Sequence, residues 1–232
     1  MSQGAPTQQS ALIAYPKQAA VGRVLPKSKI YEHGGANTRL KELFVQQVEK
    51  IFWAFKLAPE TLHLPERPGV PEIQVFSLLL KTPELHQNVL RSIDGAIPFP
   101  IVFELNFEDK TQIIAAYKRP NEADTSRWVL SDYFATEWLP ANSERTAMPI
   151  ALHLSGLYQQ LLHRLIPLPA RPQETLAELV ALVDQAQAKQ REVDKTSARL
   201  VKEKQFNRKV EINAQLRQLK KELEKLTNRE NL

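Results

Sequence analysis

Cysteine is absent from the 232 residues. No disulfide framework, thiolate zinc site or cysteine nucleophile can therefore exist. Several catalytic signatures are missing as well: no P-loop, GxGxxG, GxSxG or HExxH occurs. The five histidines, His33, His63, His86, His153 and His163, show no metal-ligand spacing and read as surface or helix-face residues, so neither a metal nor a cofactor is expected. No apolar run reaches membrane-spanning length, and the N-terminus lacks a charged segment followed by an apolar one. The expectation is a soluble cytoplasmic protein. From Gln173 onward neither glycine nor proline interrupts the chain.

The hydrophobic fraction, 43%, suffices for a core, and 25% charged residues is ordinary for a globular protein. The net charge of +5 is unevenly placed. Residues 188–232 hold 13 Lys/Arg against 7 Asp/Glu, while residues 11–31 hold Lys17, Arg23, Lys27 and Lys29 with no acid. Two basic arms around a mildly acidic body suit a polyanion or an acidic partner surface.

Residues 1–10 are small and polar and are expected to be a disordered tail. Residues 11–165 read as an α+β domain with a mainly antiparallel sheet and a basic N-terminal arm. In that arm only short extended pieces around Val24 and Ile30 are expected. Asn37 or Thr38 caps a core helix over 39–57, whose stripe is Leu40, Leu43, Phe44, Val48, Ile51, Phe52 and Phe55. Residues 72–81 read as a buried strand, and Thr82-Pro83 as the start of a short helix closed by Gly95. Two strands, 101–107 and 112–118, form a hairpin, and 128–133 extends the sheet. Residues 152–165 are an amphipathic helix. Three prolines in 167–172 make 166–173 a linker, and 174–232 a helical, coiled-coil-like region.

Within that region 191–226 reads as one long helix. Ile212, Leu216, Leu219, Leu223 and Leu226 fall at 4-3-4-3 spacing, a coiled-coil seam. The seam is expected to be buried against another helix and to be the main docking surface. That helix is one of three: 176–183 folded back after a turn between 187 and 197, a second copy in a homo-oligomer, or a foreign chain; the expectation favours the hairpin, capped at Asp194 or Ser197, with its outer face left for a second protein. Phe206 and Val210 lie on a different face, among Lys202, Lys204, Arg208 and Lys209. These four, with the arm residues and Lys118 and Arg119, are the candidates for DNA phosphate contact. Tyr117, Arg127, Trp128 and Tyr133 supply aromatic and basic character nearby.

One nuclease-like arrangement is present in fragments. Glu104 lies on the first hairpin strand and Lys118 ends the second, but Ala116 stands where a metal-binding acid belongs. Glu72-Ile73-Gln74 is at best a degenerate acid-x-Lys element. A metal-dependent nuclease built from Glu72, Glu104 and Lys118 is the alternative to a non-enzymatic protein.

The stretches RVLPKSKIYEH, LKELFVQQVEKIFWAFKLAPETLHL, EIQVFSLLLK, IPFPIVFELNF, IIAAYKRP, DYFATEW and KEKQFNRKVEINAQL together resemble a bacterial family known as domain of unknown function 4391. Family members tend to be encoded beside helicases and DNA methyltransferases of restriction or phage-defence type. The resemblance implies an accessory subunit that docks to a helicase or methyltransferase. It implies no catalytic residue.

Overall fold

The structure, a computed structural model, describes residues 10–124 and 127–228. The tail expected over 1–10 lies, apart from Ser10, outside the described residues. The chain divides into two compact units, one running to Leu165 and the other beginning at Ile166.

The first unit begins with strand β1 (Ile13–Ala14), a 3-10 turn (Lys17–Ala19), β2 (Ala20–Val24), α1 (Lys27–Gly34) and α2 (Thr38–Gln47). Next come β3 (Val48–Leu57), the single turn α3 (Pro59–Leu62), β4 (Ile73–Leu80), α4 (Gln87–Ala96), β5 (Ile101–Phe107) and β6 (Lys110–Pro120). It ends with β7 (Trp128–Ala135), β8 (Leu139–Pro140), β9 (Thr146–Ala147) and α5 (Leu154–His163).

Six strands pair in the order β2-β3-β4-β5-β6-β7, with β8 added beside β6 to make a seven-stranded sheet. All these pairings are antiparallel except β4–β5, which α4 connects. Strands β4 and β5 are central and apolar on both faces, as expected of strands covered on both sides. On one face Phe76, Leu78, Leu80, Ile101, Phe103 and Leu105 meet Ile30 of α1, Phe44 of α2, and Val89, Leu90 and Ile93 of α4.

The segment 39–57 is not one helix. Asn37 caps α2 as expected, its Oδ1 accepting from the Leu40 N–H at 2.9 Å. The helix ends at Gln47, and Val48–Leu57 pairs along β4 as a strand. Apolar spacing in 39–57 fits a 3.6-residue period, but Val48, Ile51, Phe52, Trp53 and Phe55 are β-branched or aromatic, and pairing with β4 decides the outcome. The arm is also more regular than expected: β2 is an edge strand on β3, and Ile30 is a buried helical residue. The helix expected from Thr82-Pro83 starts four residues later, where His86 is the cap and its Nδ1 accepts from Asn88 N–H at 3.1 Å. Nor does Gly95 end it; the residue lies inside α4, which runs to Ala96.

The second unit is a pair of helices, α6 (Leu176–Lys202) and α7 (Phe206–Thr227). The capping box of Thr175 and Glu178 starts α6. The single helix expected over 191–226 is broken at Glu203–Gln205, and α7 folds back on α6 so that Lys189 meets Glu222 at 3.1 Å. The turn therefore lies beyond the 187–197 window, and no glycine or proline makes it. The Glu203 carboxylate does: Oε1 accepts from the N–H groups of Lys204 (2.8 Å) and Gln205 (2.9 Å). Those bonds hold its pKa below the usual carboxylate range.

Because the units are separately compact, protease is expected to cut within 167–172 and release a first-unit fragment that melts cooperatively. An unfolded fragment in circular dichroism would show that the second unit completes the first unit's core.

Candidate functional site

Glu72, Glu104 and Lys118 do not come together as a metal site. On β5, Phe103 and Leu105 face the helices named above, so Glu104 between them points through the opposite face. There its carboxylate takes two bonds from Arg145, Nη1 at 2.8 Å and Nη2 at 2.9 Å. Arg145 Nη1 also donates to the Ile13 carbonyl at 2.9 Å. β9, which follows Arg145, pairs with β1. Glu104 is thus the anchor that staples the N-terminal strand to the sheet. The bond to Glu104 raises the pKa of Arg145. Glu72 is paired instead with Lys56 (3.1 Å) and accepts from Gln74 Nε2 (2.5 Å). Among the described residues no three His, Asp or Glu side chains gather as metal ligands.

Lys118 is 1% exposed and points inward. Its Nζ donates to the carbonyls of Asp94 and Ile97, each at 2.5 Å, and lies 3.6 Å from Asp94 Oδ1. These carbonyls close the C-terminal end of α4, so the ammonium acts as a tertiary helix cap. Trp128 covers it, with Nζ 5.6 Å from the ring centroid, and Tyr133 donates its hydroxyl proton to Asp94 Oδ2. Burial pushes Asp94 up to about 6 and pushes Lys118 down. Tyr158 Oη accepts from Lys118 N–H (2.9 Å) and donates to Ala116 O (2.7 Å), filling the register shift in β6.

Lys27 repeats the pattern. Its Nζ donates to Phe44 O (3.1 Å) and Val48 O (2.5 Å), while Lys81 Nζ donates to Val45 O (2.7 Å). Strand β3 follows α2 without a glycine cap, so lysines from elsewhere satisfy its last carbonyls. Lys27 and Lys118 are therefore removed from the phosphate-contact set. The aromatics around Lys118 are likewise committed to packing: Tyr117 packs against Tyr158 and Tyr133 bonds Asp94.

The other basic candidates in this unit remain at the surface. Lys17 and Arg23 are exposed on the 3-10 turn and edge strand β2, Lys29 pairs with Glu32 (3.1 Å), and half-buried Arg119 pairs with Glu122 (3.3 Å).

In the second unit the seam is mostly internal. Ile212 and Leu216 are buried and Leu219, Leu223 and Leu226 half-buried, on the α7 that folds against α6. The partner helix is in the same chain. What remains open is the bend: Val201 is 82% exposed, Phe206 77% and Val210 54%. Lys202, Lys204, Arg208 and Lys209 are exposed around them. Val201 is not legible as a functional position in the sequence, because a continuous helix gives it no special place.

The fold and the geometry define a mixed α/β sheet domain joined to a helical hairpin with an apolar, basic tip. The chain belongs to the family described as Domain of unknown function (DUF4391), whose pattern matches residues 13–223. No curated protein and no solved structure matches it. Among the described residues no helix is long and apolar enough to cross a membrane.

Proposed function

We propose that this chain is a non-enzymatic binding subunit that inserts the tip of its hairpin into a partner protein. The observation that carries this reading is the bend itself. Two valines and a phenylalanine stand exposed beside four cations, while Ile212 and Leu216 of the seam are buried. Solvent-exposed apolar clusters of this kind favour association, and the basic surround selects a partner pocket with an apolar floor and an acidic rim. The family resemblance makes a helicase or DNA methyltransferase of a restriction or phage-defence system the partner to test. Lys17, Arg23, Lys29 and the tip lysines support contact with DNA phosphates without base reading.

The test is co-expression with a helicase or methyltransferase from the same host. Phe206→Asp with Val210→Asp should reduce co-purification to background and leave the melting curve unchanged, since both side chains face solvent. Co-purification at wild-type yield would rule out the tip as the docking surface. DNA binding should weaken steeply with salt and vary little with sequence. Replacing Lys204, Arg208 and Lys209 by glutamine should lower the salt slope by about 0.9 for each phosphate no longer neutralised.

A further inference from the structure

Where α2 and α4 begin, their first turns and the end of α1 border an open cleft of about 540 Å³. Arg39 enters it from α2, His86, Asn88 and Arg91 enter from α4, and half-buried Leu40 and Leu43 give it an apolar wall. None of its described lining residues is an acid. Arg39 is exposed and makes no hydrogen bond or ion pair among the described residues. Arg91 gives one N–H to Asp132 at 3.2 Å, a surface pair that leaves its other N–H groups available.

The helix ends add to this charge. Asn37 Oδ1 takes the Leu40 N–H and His86 Nδ1 takes the Asn88 N–H, so neither cap is a carboxylate. Neither helix carries an acid in its first turn, whereas α6 brings Glu178 to its own start. The partial positive charge at the starts of two ten-residue helices is left for an outside anion. Because His86 Nδ1 is an acceptor, its ring presents Nε2–H as a donor. Ser92, 7% exposed, backs these groups, and its Oγ, beside Gly34, has no hydrogen-bond partner. The groups open to a ligand are the exposed Arg39, His86 and Asn88 and the half-buried Arg91.

We propose that this cleft binds a phosphate monoester, its oxygens received by Arg39 and Arg91 and by the first-turn N–H groups of α2 and α4. A cation is repelled by both guanidinium groups. A carboxylate offers two oxygens, whereas the donors here approach from two helices. A tetrahedral phosphate turns terminal oxygens to both sides, and guanidinium forks match it in pairs. The space exceeds a bare phosphate and falls within the range for small organic ligands, so the remainder of the ester lies along Leu40 and Leu43. The monoester can be a free metabolite or the 5′-phosphate of a nucleic-acid strand, and the phosphate chemistry is shared.

Calorimetry on the full chain separates the two sources. The probes are phenyl phosphate, glucose 6-phosphate, their parents phenol and glucose, and a short single-stranded DNA with and without a 5′-phosphate. Saturable binding of the small esters but not of their parents identifies a free metabolite. Preference for the 5′-phosphorylated strand over its unphosphorylated twin, without saturation by the small esters, identifies a strand end. Arg39→Gln should weaken binding about tenfold or more and leave the melting temperature unchanged, since that side chain has no partner to lose. Asn88→Asp should weaken binding as strongly without lowering the melting temperature, because an acid in the first turn of α4 takes the ligand's place at the helix end. Failure of every phosphorylated probe to saturate the wild-type chain overturns the proposal. So does equal binding of the unphosphorylated parents, or wild-type affinity in both variants. None of these outcomes bears on hairpin docking, whose test residues lie in the other unit.

Discussion

Lys118→Met is expected to destabilise the first unit by about 3–5 kcal/mol, the range for removing one partner of a buried ion pair. The variant leaves the Asp94 carboxylate without its ammonium and strips the Asp94 and Ile97 carbonyls of their donor. Urea denaturation of the full chain should show the first transition moving to a lower midpoint with unchanged slope. The double variant Lys118→Met with Asp94→Leu should recover part of the loss, since the stranded charge leaves with its partner. A single variant within about 0.5 kcal/mol of wild type would mean that the lysine is not a structural cap. The same pair sets a pH dependence. Asp94 titrates near 6 in the folded chain against an ordinary 3.8. Between those values the folded state holds a proton that the unfolded state has lost, so raising the pH favours unfolding. Wild type should therefore lose stability relative to Asp94→Asn across that window. A constant difference would place the proton elsewhere.

Leu216→Asp with Leu223→Asp should open the hairpin. Buried Leu216 contributes about 1.5–3 kcal/mol and half-buried Leu223 less, and a charge on the seam adds a desolvation cost. The Lys189–Glu222 bridge is exposed and adds at most a small increment. Helical circular dichroism should fall by roughly the content of α7, and amides of Phe206–Thr227 should lose exchange protection. The tip variants should do neither. If the seam variant keeps its helicity and protection but loses only partner binding, the seam is a docking surface after all and the intramolecular pairing is incidental.

These variants separate two roles that apolar spacing alone runs together. A 4-3-4-3 pattern states that Ile212 to Leu226 will be covered, and they are, wholly or in part. It does not state by what. The answer depends on a bend that a glutamate makes with its own carboxylate, a device with no glycine or proline to announce it. The basic residues pose the same difficulty. Lys27 and Lys118 look like Lys17 and Arg23 in composition, yet each of the former reaches across 17 or more positions to cap a helix. A lysine's partner is invisible until helix ends and strand positions are known.

The sequence by itself determined the elements whose signals are local. Asn37 caps a helix because its side chain reaches the third following amide, and Glu108-Asp109 turns the β5–β6 hairpin. Strand β4 is apolar enough to be buried on both faces, and prolines over 167–172 accompany the break between units. The absence of cysteine excluded thiol chemistry outright. Tertiary structure alone decided the rest. Pairing with β4 made 48–57 a strand, packing with α6 turned the C-terminal seam inward, and Arg145 converted Glu104 from a candidate metal ligand into a staple. The physical reason is common to all three. Local signals act over three or four residues, whereas strand partners, helix partners and counter-ions are chosen among groups tens of positions apart, by the requirement that buried backbone groups and charges be satisfied.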